Sequence, residues 1–241
     1  MRWPVRILLV SLTLGVVTAQ AQLGLEIARQ HAARAGDRLA ALTALRAEGR
    51  IFVNNEVVPF TLVAQRPNRL RVETRTTQRR TVQAYDGVNP PWVSQSEVAA
   101  GAPQVMGEGE ARDFIANADF DGPLVNFAGK NYSVDYAGEE PIDGHTAAKL
   151  LVMNQRDDIF FLWVDAETHE VVKRTVYRAF GSQRVAVDTF FKDFRSVGGV
   201  LQPHRIETVA NGRTIYVMLI DRMEANPPAI TPDIFIRPAA N

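Results

Sequence analysis

Apolar residues alternate with polar ones over most of this chain, with turn residues at short intervals. Five strand-like segments lie near Leu45–Val53, Val57–Arg66, Arg69–Thr76, Arg80–Asp86 and Pro91–Gln95, separated by Asn54-Asn55, Pro67-Asn68 and Asp86-Gly87. Links this short join neighbouring antiparallel strands. Strands resume from Tyr132 to Glu224, with turn signals at Glu140-Pro141, Asp157-Asp158, Glu167-Thr168, Gly181-Ser182, Gly198-Gly199 and Asn211-Gly212. Two stretches break the period of two. Leu25 to Leu42 has alanines and leucines at helical spacing, interrupted by Gly36-Asp37, and predicts a helix followed by a short second one. Gly107 to Phe127 carries Phe114 and Ile115, then Leu124, Val125 and Phe127, around Gly122-Pro123, and predicts a helical pair set into the middle of the meander.

About twelve strand candidates in one antiparallel sheet are too many to stay flat, and the concave face of a curled sheet must be filled by side chains, helices or a ligand. The expected fold is mainly β: a single, strongly curved antiparallel sheet forming an incomplete barrel, with an N-terminal helix and a central helical lid. Phe60, Leu62, Leu70 and Val72 alternate on adjacent strands and are expected to line one apolar face with Phe114 and Phe127 from the helical cover. Trp92 fits that lining or the core, and Trp163 fits the core.

The N-terminus narrows the setting. Arg2 and Arg6 precede an apolar run from Ile7 to Val17 and then Thr18-Ala19-Gln20-Ala21, the order of a secretory signal peptide cleaved after Ala21. The expected organisation is therefore a signal peptide over 1–21 and one domain over 22–241, exported to the periplasm. No later stretch is long and apolar enough to span a bilayer as a helix, so an integral membrane protein is not expected. Cysteine is absent, which removes disulfides, thiolate metal sites, thiol nucleophiles and the acylated cysteine of a lipid-anchored protein. Lys and Arg number 27 and Asp and Glu 27, a balance that argues against nucleic acid as a partner.

No catalytic constellation emerges. His31, His145, His169 and His204 are scattered without metal-ligand spacing, no serine sits in a Gly-x-Ser-x-Gly turn, and Asp165, Glu167 and His169 read as turn residues. No enzyme activity, cofactor or metal is expected. Arg66 stands out instead, because it ends an apolar strand face just before Pro67, where a guanidinium either reaches into water over its apolar stem or finds acceptors.

Arg66-Pro67-Asn68, the strand after it, Asp86-Gly87, Trp92 and the terminal Phe235-Ile236-Arg237-Pro238 resemble the LolA-like superfamily of periplasmic outer-membrane lipoprotein-sorting proteins. The resemblance implies an unclosed barrel covered by helices and a carrier or chaperone that binds the lipid part of lipoproteins, or another amphiphile, in a gated apolar cavity. It assigns Arg66 the role of a latch between sheet and helical cover. Lipoprotein acyl chains or other lipid become the cargo, with an inner-membrane donor and an outer-membrane acceptor as partners. The alternative from a different class is a periplasmic sensor or interaction protein that uses the same fold to bind a regulatory partner.

Overall fold

A computed structural model describes residues 6–96, 102–154, 158–180, 183–228 and 230–239. The chain opens with helices α1 (Arg6–Ala33) and α2 (Asp37–Ala41). Strands β1 (Ala44–Val53), β2 (Glu56–Gln65), β3 (Arg69–Arg75), β4 (Arg80–Tyr85), β5 (Trp92–Ser96) and β6 (Gln104–Val105) come next, and then helix α3 (Glu108–Ala118). The second run is β7 (Ser133–Ile142), β8 (His145–Met153), β9 (Ile159–Asp165), β10 (Val171–Phe180), β11 (Gln183–Val197), β12 (Val200–Ala210) and β13 (Arg213–Ala225), ending in a 3-10 turn at Pro232–Phe235. All 13 strands belong to one sheet in the order β6-β5-β4-β3-β2-β1-β13-β12-β11-β10-β9-β8-β7, which does not close. Two meanders are thus joined by the antiparallel pairing of β1 with β13.

Turn chemistry sets the hairpins. Asn54-Asn55, Asp143-Gly144 and Asn211-Gly212 all have positive φ at both residues, the geometry of two-residue hairpin turns whose twist matches the strands. One expected turn is corrected. β7 runs straight through Glu140-Pro141 to Ile142 and the chain reverses at Asp143-Gly144, since proline cannot supply the positive φ that the turn requires. Pro141 is tolerated because β7 is an end strand, paired only with β8. The expected helical pair is half realised. After α3 the chain passes through turns, with Gly122, Asn126 and Asn131 at positive φ. The turn expected at Gly181-Ser182 lies outside the described residues, as does Asp157 of the Asp157-Asp158 turn.

The chain divides into two compact units, one made of residues 1–34 with Pro123–Phe190 and the other of Ala35–Gly122 with 191–241. In the first, the C-terminal part of α1 lies on β7 so closely that a Cβ on Gly24 would stand 2.7 Å from the Tyr136 backbone nitrogen. Ala28 then packs against Leu124, from the turns before β7, and against Val134, Leu150, Val152, Leu162 and Val164, the inward alternate residues of β7 to β9. In the second unit both faces of the β3 to β5 segment carry a covering element. One carries α3, and the other carries the 3-10 turn, whose Phe235 is fully buried and whose Phe235 and Ile234 carbonyls accept from Trp92 Nε1 at 2.9 Å and an Arg71 guanidinium nitrogen at 2.8 Å.

Candidate functional site

The register of β2, β3 and β4 pairs Leu62 with Val72, Ala64 with Leu70, and Leu70 with Tyr85. Directly opposed residues share a face. Leu70, Tyr85, Met106, Phe114 and Ala118 are buried together there, with Leu62, Val72, Val93, Ala111 and Ile115 against them. α3 supplies Ala111, Phe114, Ile115 and Ala118 at helical spacing, while Glu108 and Glu110 in its first turn suit the positive end of its dipole. Two polar contacts of this helix are exposed: Gln83 Nε2 donates to Glu110 Oε1 at 2.9 Å, and Arg112 pairs with Glu108 at 3.3 Å. An apolar sheet face under a short helix that packs on it through Ala111, Phe114, Ile115 and Ala118 is an arrangement that can open locally.

Arg66 sits at one corner of this cover, directly after β2. Its Nε donates to the Leu42 carbonyl at 2.6 Å and one terminal nitrogen donates to the Leu39 carbonyl at 2.5 Å, both at the C-terminal end of α2. The other terminal nitrogen forms an ion pair with Asp121, just beyond α3, and the guanidinium lies 4.9 Å from the centre of the Phe120 ring. The planar fork thus ties together three segments: the end of β2, the end of α2 and the chain after α3. Asn226 supports the same junction, its Oδ1 accepting from Thr43 N at 2.8 Å and Ala44 N at 3.2 Å while its Nδ2 donates to the Ala41 carbonyl at 3.0 Å.

The other residues singled out in the sequence fall in three places. Phe60 is buried with Ala47 and Ile220 next to Leu62, so it extends the α3 face toward β1 and β13. Trp92 does not lie on that face. It pairs with Ala84 and is buried with Ala84 and Val82 on the opposite side of the sheet, because the loop 86–91 fixes a register that the alternation within each strand does not encode. Phe127 packs with the Leu124 and Val134 cluster of the other compact unit and not with Phe114. Met106, Tyr85, Asp121 and Asn226 were not singled out. Asp121 follows Phe120 in a polar turn, and nothing in its spacing marks it as the partner of Arg66.

Among the described residues there is no group of three or more His, Asp or Glu side chains placed to hold a metal. One buried histidine is structural. His31, at the end of α1, is 4 % exposed with Nδ1 2.8 Å from the His169 carbonyl oxygen, and Arg34 beside it pairs with buried Glu170 at 2.6 Å. Burial, then the Arg34 charge, lowers the His31 pKa to about 3. The unfolded chain therefore binds a proton below the ordinary imidazole pKa that the folded chain refuses, and stability falls as pH drops from about 6.5 toward 3. Glu170 works in the opposite direction, since burial raises its pKa. Between pH 7 and pH 5 the His31 contribution is a loss of about 2 kcal/mol. Denaturant unfolding of the wild type and His31→Gln at both pH values isolates it, and the variant should lose about that much less.

No curated protein matches the chain in sequence. In fold it is similar to a DUF1329 family protein from Desulfovibrio piger ATCC 29098, at 13 % identity and TM-score 0.63 over 90 % of this chain and 97 % of that one. It is similar to a putative outer membrane lipoprotein-sorting protein domain from Vibrio parahaemolyticus, at 11 % identity and TM-score 0.60 over 89 % and 97 %. It is also similar to a LolA superfamily protein from Nitrosomonas europaea, at 15 % identity and TM-score 0.59 over 87 % and 97 %. At such identities the likeness is one of fold, and the fold is the LolA-like one that the Arg-Pro-Asn segment and the element order resemble. Among the described residues no helix is long and apolar enough to cross a membrane. More than half of the sequence, residues 55–182, matches the family described as predicted periplasmic protein (DUF2092), and the chain belongs to that family.

Proposed function

We propose that this protein is a non-catalytic periplasmic carrier or chaperone that takes up acyl chains of a lipid or lipoprotein on the apolar face beneath α3. The observation that carries this reading is the three-way tie made by Arg66 at the edge of that face. Loosening one corner lets α3 lift, and an acyl chain then replaces Phe114 and Ile115 against Leu62, Leu70 and Val72. Each methylene moved from water onto such a surface gains roughly 0.8 kcal/mol, so capture needs no directed chemistry. The neighbouring lipoprotein-sorting and LolA superfamily folds support the cargo class. An inner-membrane donor and an outer-membrane acceptor complete the cycle in this reading. The test is displacement: an environment-sensitive apolar dye should bind the folded protein and be displaced by fatty-acyl lipids. A folded protein that binds no such dye has a filled core beneath α3 and is not a carrier through this face.

Export belongs to the same reading. Cleavage after Ala21 leaves Gln22 as the first residue and keeps Gly24, Ile27 and Ala28, the α1 residues that pack against the first compact unit. Intact-mass measurement of periplasmic protein should give a chain beginning at Gln22. A chain retaining Met1, or one that fractionates with integral membrane proteins, contradicts the proposal.

A further inference from the structure

The β8 to β11 part of the sheet carries a second feature with a different chemistry. One face of these strands is the apolar core under α1, made of Leu150, Val152, Leu162 and Val164. The alternate residues form the other face, where Lys149, Trp163, Lys173 and Phe190 stand opposite one another in a single cross-strand row. The Lys149 ammonium lies 5.0 Å from the centre of the Trp163 ring and that of Lys173 lies 4.4 Å from it, so the indole is flanked by two cations. Trp163 is buried, whereas the Lys149 and Lys173 side chains keep 25 % and 15 % of their exposure. Carboxylates hold the ammonium groups in place: Glu140 is 2.8 Å from Lys149 and Asp188 is 3.3 Å from Lys173. Those carboxylates are shared, since Glu140 also accepts from Trp163 Nε1 at 3.1 Å and Asp188 from the Thr175 hydroxyl at 2.5 Å. An ammonium has three donors, so each lysine can serve an anion as well as its carboxylate.

Polarity changes along the strands. Two residues on from the lysine row stand Leu151 and Phe161, paired across β8 and β9, and two further on stand Met153 and Ile159, also paired. Met153 and Ile159 are 37 % and 47 % exposed, as is Tyr177 beside Phe161 at 41 %. From Lys149 to Met153 this strip runs about 14 Å at the rise of an extended strand. The donors that the two ammonium groups keep beyond their carboxylates, and the exposed apolar side chains further along, with Arg184 5.7 Å from the centre of the Tyr177 ring at their flank, match a molecule with an anionic head and an apolar tail. This strip lies on the face opposite the Leu150, Val152, Leu162 and Val164 core.

We infer that this face binds a single-chain anionic amphiphile, its phosphate or carboxylate head between Lys149 and Lys173 and its chain along Phe161 toward Ile159. Its residues are not those of the α3 face, and the inference does not depend on the carrier reading. Titration calorimetry on the full chain, with dodecyl phosphate, dodecanoate, dodecyl maltoside and dodecyltrimethylammonium below their micelle-forming concentrations, tests it. At least one of the two anionic probes should bind tenfold or more tightly than the neutral and cationic ones, and the tighter of the two identifies the head as phosphate or carboxylate. Lys149→Met with Lys173→Met should abolish that preference, while Lys149→Arg with Lys173→Arg should retain it. Equal binding of all four probes by the wild type overturns the inference whether or not the methionine variant folds, and so does an anion preference that survives in a folded methionine variant. Loss of dye binding at the α3 face with the anion preference intact would remove the carrier reading and leave this site standing.

Discussion

Arg66→Leu is expected to speed the opening of α3 and to change cargo exchange by one to two orders of magnitude, with the fold retained. The guanidinium donates to the carbonyls of Leu39 and Leu42 and pairs with Asp121. Hydrogen bonds to a charged group contribute about 1.5–3 kcal/mol, which corresponds to a factor of about 10 to 150 in a two-state closed/open balance. Leucine removes these contacts yet leaves the cross-strand register of β2 untouched, because Arg66 lies beyond the last ladder pair, Gln65 with Arg69. Arg66→Lys keeps the charge but not the planar fork, so one or two of the three contacts can re-form and rescue should be partial. Stopped-flow uptake and release of a fluorescent fatty-acyl probe by the three proteins measures this. Equal rates in all three would reduce Arg66 to a structural rim residue.

Phe235→Ala should cost about 3–5 kcal/mol of stability, the range for truncating a buried phenylalanine. Phe235 is fully buried although only six residues follow it in the sequence, and its carbonyl and that of Ile234 receive the Trp92 indole and the Arg71 guanidinium. Losing the ring leaves a cavity over the β3 to β5 face and loosens both acceptors. For a chain of this size the loss should lower the melting temperature by about 10 °C. Thermal unfolding followed by circular dichroism decides, and a drop of no more than about 2 °C would mean that the C-terminal turn contributes little to the fold.

Much of the sheet was legible because its signals are local. Asn54-Asn55 and Asn211-Gly212 name their own turns, and period-two alternation places Phe60, Leu62, Leu70 and Val72 on one side once β2 and β3 pair across Pro67-Asn68. Long-range register was not. Trp92 begins a strand after a loop, and nothing inside the strand says which face its first residue takes; one residue of slip would place it under α3. Phe127 shared helical spacing with Phe114, but α3 ends at Ala118, where Asp119 turns to extended backbone, and Phe127 joins the other compact unit. Arg66 was conspicuous for ending an apolar strand face, whereas its partner Asp121 and the supporting Asn226 are ordinary turn residues until the chain is folded. The aromatic and cationic row of Lys149, Trp163 and Lys173 escaped for the same reason, since three strands must align before it exists.

The central claim is that α3 must move for the apolar face beneath it to take up an acyl chain. Because the chain has no cysteine, Gln83→Cys with Glu110→Cys creates a unique pair, at two side chains that are hydrogen-bonded between the sheet and α3. A short bifunctional thiol reagent should then pin α3 to β4, and binding of a fluorescent fatty-acyl probe should fall at least tenfold relative to the same protein treated with a monofunctional reagent. Equal binding by the pinned and the unpinned protein would contradict the account.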